Sequence, residues 1–248
     1  LPFIFESYFF IIWVAAFFTA IVSATVGVLG GTILIAVMAQ FLKMEVLIPL
    51  HGIIQLSANA SRTWFLREHI QRMISREMMA GIVVGSVLGA FYLEPFDDKY
   101  YNIVIGSFIL FITFVPKFKV PLQFQGKWAL LGFVASSVGL YVGAVGVLVG
   151  SVLHSEKLEK KAMVATQAAA QSFLHLAKVL VFVSLGFVIQ KWLLLLVGTL
   201  VLTFVGSWVG TKILNRIPEA LFRKILTVLI VILALRLIGQ GLVEGFVR

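Results

Sequence analysis

Long apolar runs free of charge constrain this chain more than any other feature. Between Phe3 and Val26 the one charged residue is Glu6, and between Leu193 and Thr211 there is none. About 20 apolar residues in a helix, rising roughly 1.5 Å each, cross the hydrocarbon core of a bilayer. Inside that core the backbone must satisfy its own hydrogen bonds, which leaves helices or a closed barrel. The runs are rich in Leu, Ile, Val, Phe and Gly and lack the period-two alternation of a barrel strand. They therefore predict an all-α, polytopic integral membrane protein. Composition agrees: 60% of the 248 residues are hydrophobic and 12% are charged, against about 45–50% and about 25% in soluble domains.

The formal net charge of +9 would suggest nucleic acid in a soluble chain. Here the basic residues fall in short loops, where they orient a membrane protein. The lipid bilayer is the expected partner, and nucleic acid is not. Cysteine is absent, which removes disulfides and thiolate metal sites. The first apolar stretch has no basic segment before it and is read as part of the fold, not as a signal peptide.

The apolar segments run from Phe3 to Val26, Thr32 to Leu42, Val46 to Leu66, Met78 to Leu93 and Tyr100 to Val115. After a basic linker they resume from Trp128 to Tyr141, Val147 to Leu153, Ala162 to Leu185, Trp192 to Lys212 and Leu221 to Val243. The second set replays the first. A shift of 116 positions carries Val26, Gly27 and Gly30 onto Val142, Gly143 and Gly146, and Gln55 onto Gln171. A shift of 121 carries Gly85, Ser86 and Gly89 onto Gly206, Ser207 and Gly210. The chain thus divides into a first repeat over 1–116, a linker over 117–127 and a second repeat over 128–248.

Loop charges set the relative orientation of the copies. The loop from Arg67 to Arg76 is basic, while its counterpart near Ser184 to Gln190 is nearly neutral. The loop from Glu94 to Lys99 is acidic, whereas its counterpart carries Lys212, Arg216, Arg223 and Lys224. If basic loops are cytoplasmic, equivalent loops lie on opposite sides, which is the pattern of inverted-topology repeats. An odd number of crossings per copy is then needed. Thr32 to Leu42 and Val147 to Leu153 are too short to span. Each copy is expected to be a glycine-broken re-entrant hairpin plus three full spans, with both termini periplasmic.

No acidic residue falls mid-membrane, where cation-coupled carriers place one. This argues for an anionic or neutral solute. The helix from Val46 to Leu66 carries His51, Gln55 and Asn59 at four-residue spacing, then Arg62. Its counterpart carries Gln167, Gln171 and His175 at the same spacing, then Lys178. Each set shares one helical face. Inverted repeats would bring both stripes to one place near the midplane. Amide and imidazole N–H groups there can replace water lost by an oxyanion, with Arg62 and Lys178 supplying the field. The alternative is that the stripes only hydrogen-bond between helices and that Arg62 and Lys178 snorkel. Gly27, Gly30 and Gly31, with Gly143 and Gly146, either pack helices closely or unwind the chain so that freed N–H groups face an anion. The paired glycines at 85, 89, 206 and 210 read as helix packing. His51 or His175 can carry a proton, since imidazole titrates near neutrality.

Enzyme signatures are missing: the four histidines make no HExxH motif and there is no GxxxxGK[ST] loop. No catalytic residue, metal or cofactor is expected. The glycine-rich break VGVLGG, a helix opening from a short polar turn, the GSVLG span from Gly85 to Gly89, and a second copy of all three resemble the TauE/SafE, or sulfite exporter, family. The likeness covers nearly the whole chain. It departs from the family's GxGGG pattern at Leu29 and Thr32, and in the second copy at Val145 and Val147. The resemblance implies export of sulfite, an organosulfonate or another small sulfur-containing anion. The expected function is a secondary transporter in a bacterial inner membrane, with the substrate between the repeats. A passive channel for the same solutes and a non-transporting scaffold are the rivals. Oligomeric state is not legible.

Overall fold

The computed structural model describes residues 6–26, 29–93, 98–114, 124–154, 156, 158–214 and 219–246. Gly27, the acidic turn at 94–97, most of the basic linker, Lys157 and Arg216 lie outside them, and the side chain of Arg223 does too. All regular elements among the described residues are helical: α1 (Tyr8–Val26), α2 (Gly30–Met38), α3 (Met44–Phe65), α4 (Arg72–Phe91), α5 (Asp98–Phe114), α6 (Lys127–Val142), α7 (Gly146–His154), α8 (Lys160–Ser184), α9 (Leu193–Ile213) and α10 (Glu219–Phe246). Short 3₁₀ turns at Arg67–His69 and Ile189–Trp192 lead into α4 and α9.

Helix α4 begins six residues before the apolar run from Met78 suggests. Arg72 and Arg76 are exposed on its first turns. Arg, Met and Glu favour helix, so the helix outlasts the apolar zone that hydropathy detects. The same holds at Lys160, where α8 opens.

Among the described residues, four stretches are long and apolar enough to cross a membrane: Tyr8–Thr25, Arg72–Phe91, Ile189–Ile213 and Leu226–Val243. Their outward faces are apolar too. Val83, Val84 and Val87 on α4, Val197 and Val201 on α9, and Val228 and Ile232 on α10 are all exposed. Apolar faces on that many helices match lipid rather than water. The chain is a multi-pass membrane protein.

Helices α3 and α8, with 22 and 25 residues, are long enough to cross but carry the polar stripes. They lie at the centre, packed on each other, with α9 against α3 and α4 against α8. Polar faces are tolerated there because neighbouring helices screen them from lipid. Outside this core α1 packs on α9, α6 packs on α4, and α5 and α10 pack together. Glycine allows the close pairings. Gly81 and Gly85 of α4 lie directly against backbone of Ala129 and Phe133 in α6, and Gly206 and Gly210 of α9 lie against Phe17 and Ile21 of α1.

Several contacts fix chain direction. Gly52 lies against Lys178 and Val179, while Thr63 reaches Ser172 at 3.2 Å. As α3 advances α8 recedes, so the central pair runs in opposite directions. Trp13 meets Gly198 and Ala24 meets Gly210, so α1 and α9 run in the same direction. Met78 meets Gly132 and Gly89 meets Ser137 and Leu140, so α4 and α6 do as well. The short helices fold back on their predecessors. Gly30 packs on Thr19 and Ser23, and the Phe41 ring stacks on Tyr8 with centroids 5.5 Å apart. In the second half Lys127, which opens α6, pairs at 2.6 Å with Glu156, just beyond α7.

Candidate functional site

Where α3 and α8 cross, the two glycine breaks close over them and leave a small cleft. From α3 it is lined by His51, Gln55, Asn59 and Arg62, and from α8 by Gln167, Gln171 and His175. Gly31 and Gly146, at the starts of α2 and α7, complete the wall with Ser23, Leu29, Thr32, Ala144 and Val145. All seven polar residues from the two long helices are buried. Their spacing explains the meeting: residues four apart share a helical face, and α9 packs on α3 and α4 on α8 beside it.

Each stripe grips the opposite wall through backbone. His51 Nε2 donates to the Gly31 carbonyl at 2.9 Å, and Gln167 Nε2 donates to the Gly146 carbonyl at 2.9 Å. Asn59 donates through Nδ2 to the Gln55 backbone carbonyl at 2.7 Å, and its Oδ1 accepts from the Arg62 guanidinium. The rings of His51 and His175 meet edge to face with centroids 5.8 Å apart. A Cβ at Gly31 would stand 3.3 Å from the Gln55 amide, which would have to shift by a few tenths of an ångström to make room.

The electrostatics are one-sided. Arg62 and Lys178 are 3% and 1% exposed. Lys178 Nζ donates to the Gly143 carbonyl at 2.7 Å, behind the cleft rather than in its lining. No carboxylate lines the cleft, and among the described residues none pairs with either cation. Buried charge without an opposite partner is strongly unfavourable, so this arrangement suits an anion arriving from outside. Polar atoms here also remain without a protein partner: Arg62 Nε, Gln171 Nε2, Gln167 Oε1, and Nδ1 of His51 and of His175. Among the described residues no group of three or more His, Asp or Glu could hold a metal ion.

Of the residues singled out by sequence, Gly31, His51, Gln55, Asn59, Arg62, Gly146, Gln167, Gln171 and His175 come together in this lining. Gly30 packs instead on Thr19 and Ser23, Gly143 lies beneath Lys178, and Gly27 is outside the described residues. Ser23 and Thr32 are additions that sequence reasoning passed over. Their one signal is a hydroxyl on either side of a glycine break, in a segment otherwise apolar.

The family model of the sulfite exporter TauE/SafE matches residues 12–237 of the chain. Neither the curated proteins nor the solved structures yield a significant match. The matched stretch reaches into every helix from α1 to α10, and the chain therefore belongs to the TauE/SafE family of sulfite exporters, which are membrane transporters.

Proposed function

We propose that this protein is a secondary transporter that exports a small sulfur-containing oxyanion, sulfite or an organosulfonate, and that the anion binds in the cleft between α3 and α8. The observation that carries this reading is the lining itself: amide, imidazole, hydroxyl and guanidinium groups with no carboxylate, backed by a second buried cation. Such a wall replaces the water an oxyanion gives up and gains from low dielectric. Gly31 and Gly146 bring the first turns of α2 and α7 to the same wall, where helix N-termini favour negative charge.

In this reading the two halves are inverted repeats, 1–116 and 128–248, and the pairs α1–α2 and α6–α7 are re-entrant hairpins. Support for inversion comes from α3 and α8. They are counterparts under the 116-residue shift yet run in opposite directions, as a two-fold axis perpendicular to both helices requires. Exchanging the halves also turns the α1–α9 pairing into α6–α4, and α3–α9 into α8–α4, and all four occur. Support for the hairpins comes from Tyr8 stacked on Phe41 and from Lys127 paired with Glu156, each joining the start of a hairpin to its end. Alternating access then follows from one repeat rocking against the other about the central pair. In the same reading both termini lie on the periplasmic face of a bacterial inner membrane, the orientation that the loop charges favour.

The test is anion flux in proteoliposomes. Wild type moves sulfite in a saturable way, and Gln171→Leu, which leaves the fold intact but removes the amide, reduces flux to background. Undiminished flux in the variant would overturn the cleft as the site. Flux that never saturates would favour a passive channel.

A further inference from the structure

The cleft offers more than donors. Gln167 spends its Nε2 on the Gly146 carbonyl, so its Oε1 is held as an acceptor, buried and without a protein partner. An amide flip would set Oε1 against that carbonyl and is excluded by repulsion. His51 spends Nε2 on the Gly31 carbonyl in the same manner, which in the uncharged ring leaves Nδ1 as a second acceptor without a protein partner. The two positions are counterparts under the 116-residue shift. Different side chains thus reach one arrangement twice: a donor fixed to the glycine break and an acceptor left over. Beside them Arg62 Nε and Gln171 Nε2 remain as donors without partners.

A fully deprotonated oxyanion carries acceptors only. It satisfies the Arg62 and Gln171 donors but leaves Gln167 Oε1 without a donor. Leaving a buried polar atom unpaired is where hydrogen-bonding sites lose most affinity. We infer that the cleft recognises an anion that brings its own hydrogen-bond donor, which for sulfite means the hydrogen-bearing monoanion, hydrogen sulfite, rather than the dianion. This rests on the reading of the cleft as the transport site and sharpens it. The transported species carries one negative charge and one proton, so net outward movement of sulfite also moves a proton outward.

Methanesulfinate is the discriminating probe, because a methyl group replaces the hydroxyl of hydrogen sulfite at the same charge and heavy-atom count. Calorimetric titration of the purified protein at mildly acidic pH, where sulfite is a monoanion, should give hydrogen sulfite about ten-fold tighter binding, the worth of a hydrogen bond. Gln167→His keeps a donor for Gly146 and an acceptor beside it, as His51 does, and retains the preference. Gln167→Lys keeps the donor but removes the acceptor, and narrows the preference severalfold. Equal wild-type affinities would overturn the inference and assign both acceptors to water, while leaving the transport reading intact. An unchanged preference in Gln167→Lys would also overturn it for this residue. Failure of both anions to bind would defeat the transport reading itself, and the inference with it.

Discussion

Leu29 and Gly143 both hold positive φ, +74° and +75°, at the two glycine breaks. For Gly143 the conformation is free; for Leu29 it costs about 1–2 kcal/mol. Leu29 keeps this conformation while its side chain joins the buried core. Gly143 has no such latitude. A Cβ there would collide with Ile35, and its carbonyl holds Lys178. Gly143→Ala combines left-handed strain with overpacking and should lower stability by about 2–4 kcal/mol, read as a fall in Tm of the purified protein. The residue identities of the stripes were legible because polar side chains in a membrane helix need a reason. Ser23 and Thr32 were not legible: a hydroxyl next to a helix break is satisfied locally in most contexts, and only the closing of α2 over α3 brings these two to the cleft.

At the scale of elements, the helices separate into those apolar along a full span and those with a polar stripe turned inward. Hydropathy finds the first kind readily and undercounts the second, because α3 and α8 carry buried polar residues alongside exposed apolar ones such as Leu176 and Leu180. The pairings α4–α6 and α1–α9 depend on glycine, which lets backbones approach within contact. Gly85 lies against the Phe133 carbonyl and Ser136, and Gly206 against the Phe17 carbonyl. Gly85→Val and Gly206→Val should each lower the thermal midpoint by a similar amount, with costs of about 1–3 kcal/mol or more. Gly239→Ala, where nothing lies within 4 Å, is the control and should be neutral or slightly stabilising. A midpoint unchanged in either valine variant would deny the close approach. The GSxxG pattern marks both glycine pairs in sequence, but it does not say which helix each one faces.

For the whole molecule the decisive matter is the relative direction of the two halves. The chain contains no cysteine, so single cysteines report topology without interference. Glu68 and Ser184 are exposed counterparts at the ends of α3 and α8. Glu68→Cys and Ser184→Cys should react with an impermeant maleimide from opposite sides of the membrane. Labelling from one side alone would end the inverted-repeat reading and the rocking mechanism built on it.

Sequence alone determined that this chain lives in a bilayer, that it is helical, and which face of each long helix is polar. Those properties follow from solvation and from a 3.6-residue period, both local. Only the tertiary structure decided that the two polar faces meet in one cleft, that Lys178 stands behind it holding Gly143, and that Gln167 and His51 turn acceptors toward no protein partner. Residues more than a hundred positions apart become neighbours through close packing of helices, which depends on every intervening contact rather than on any local pattern.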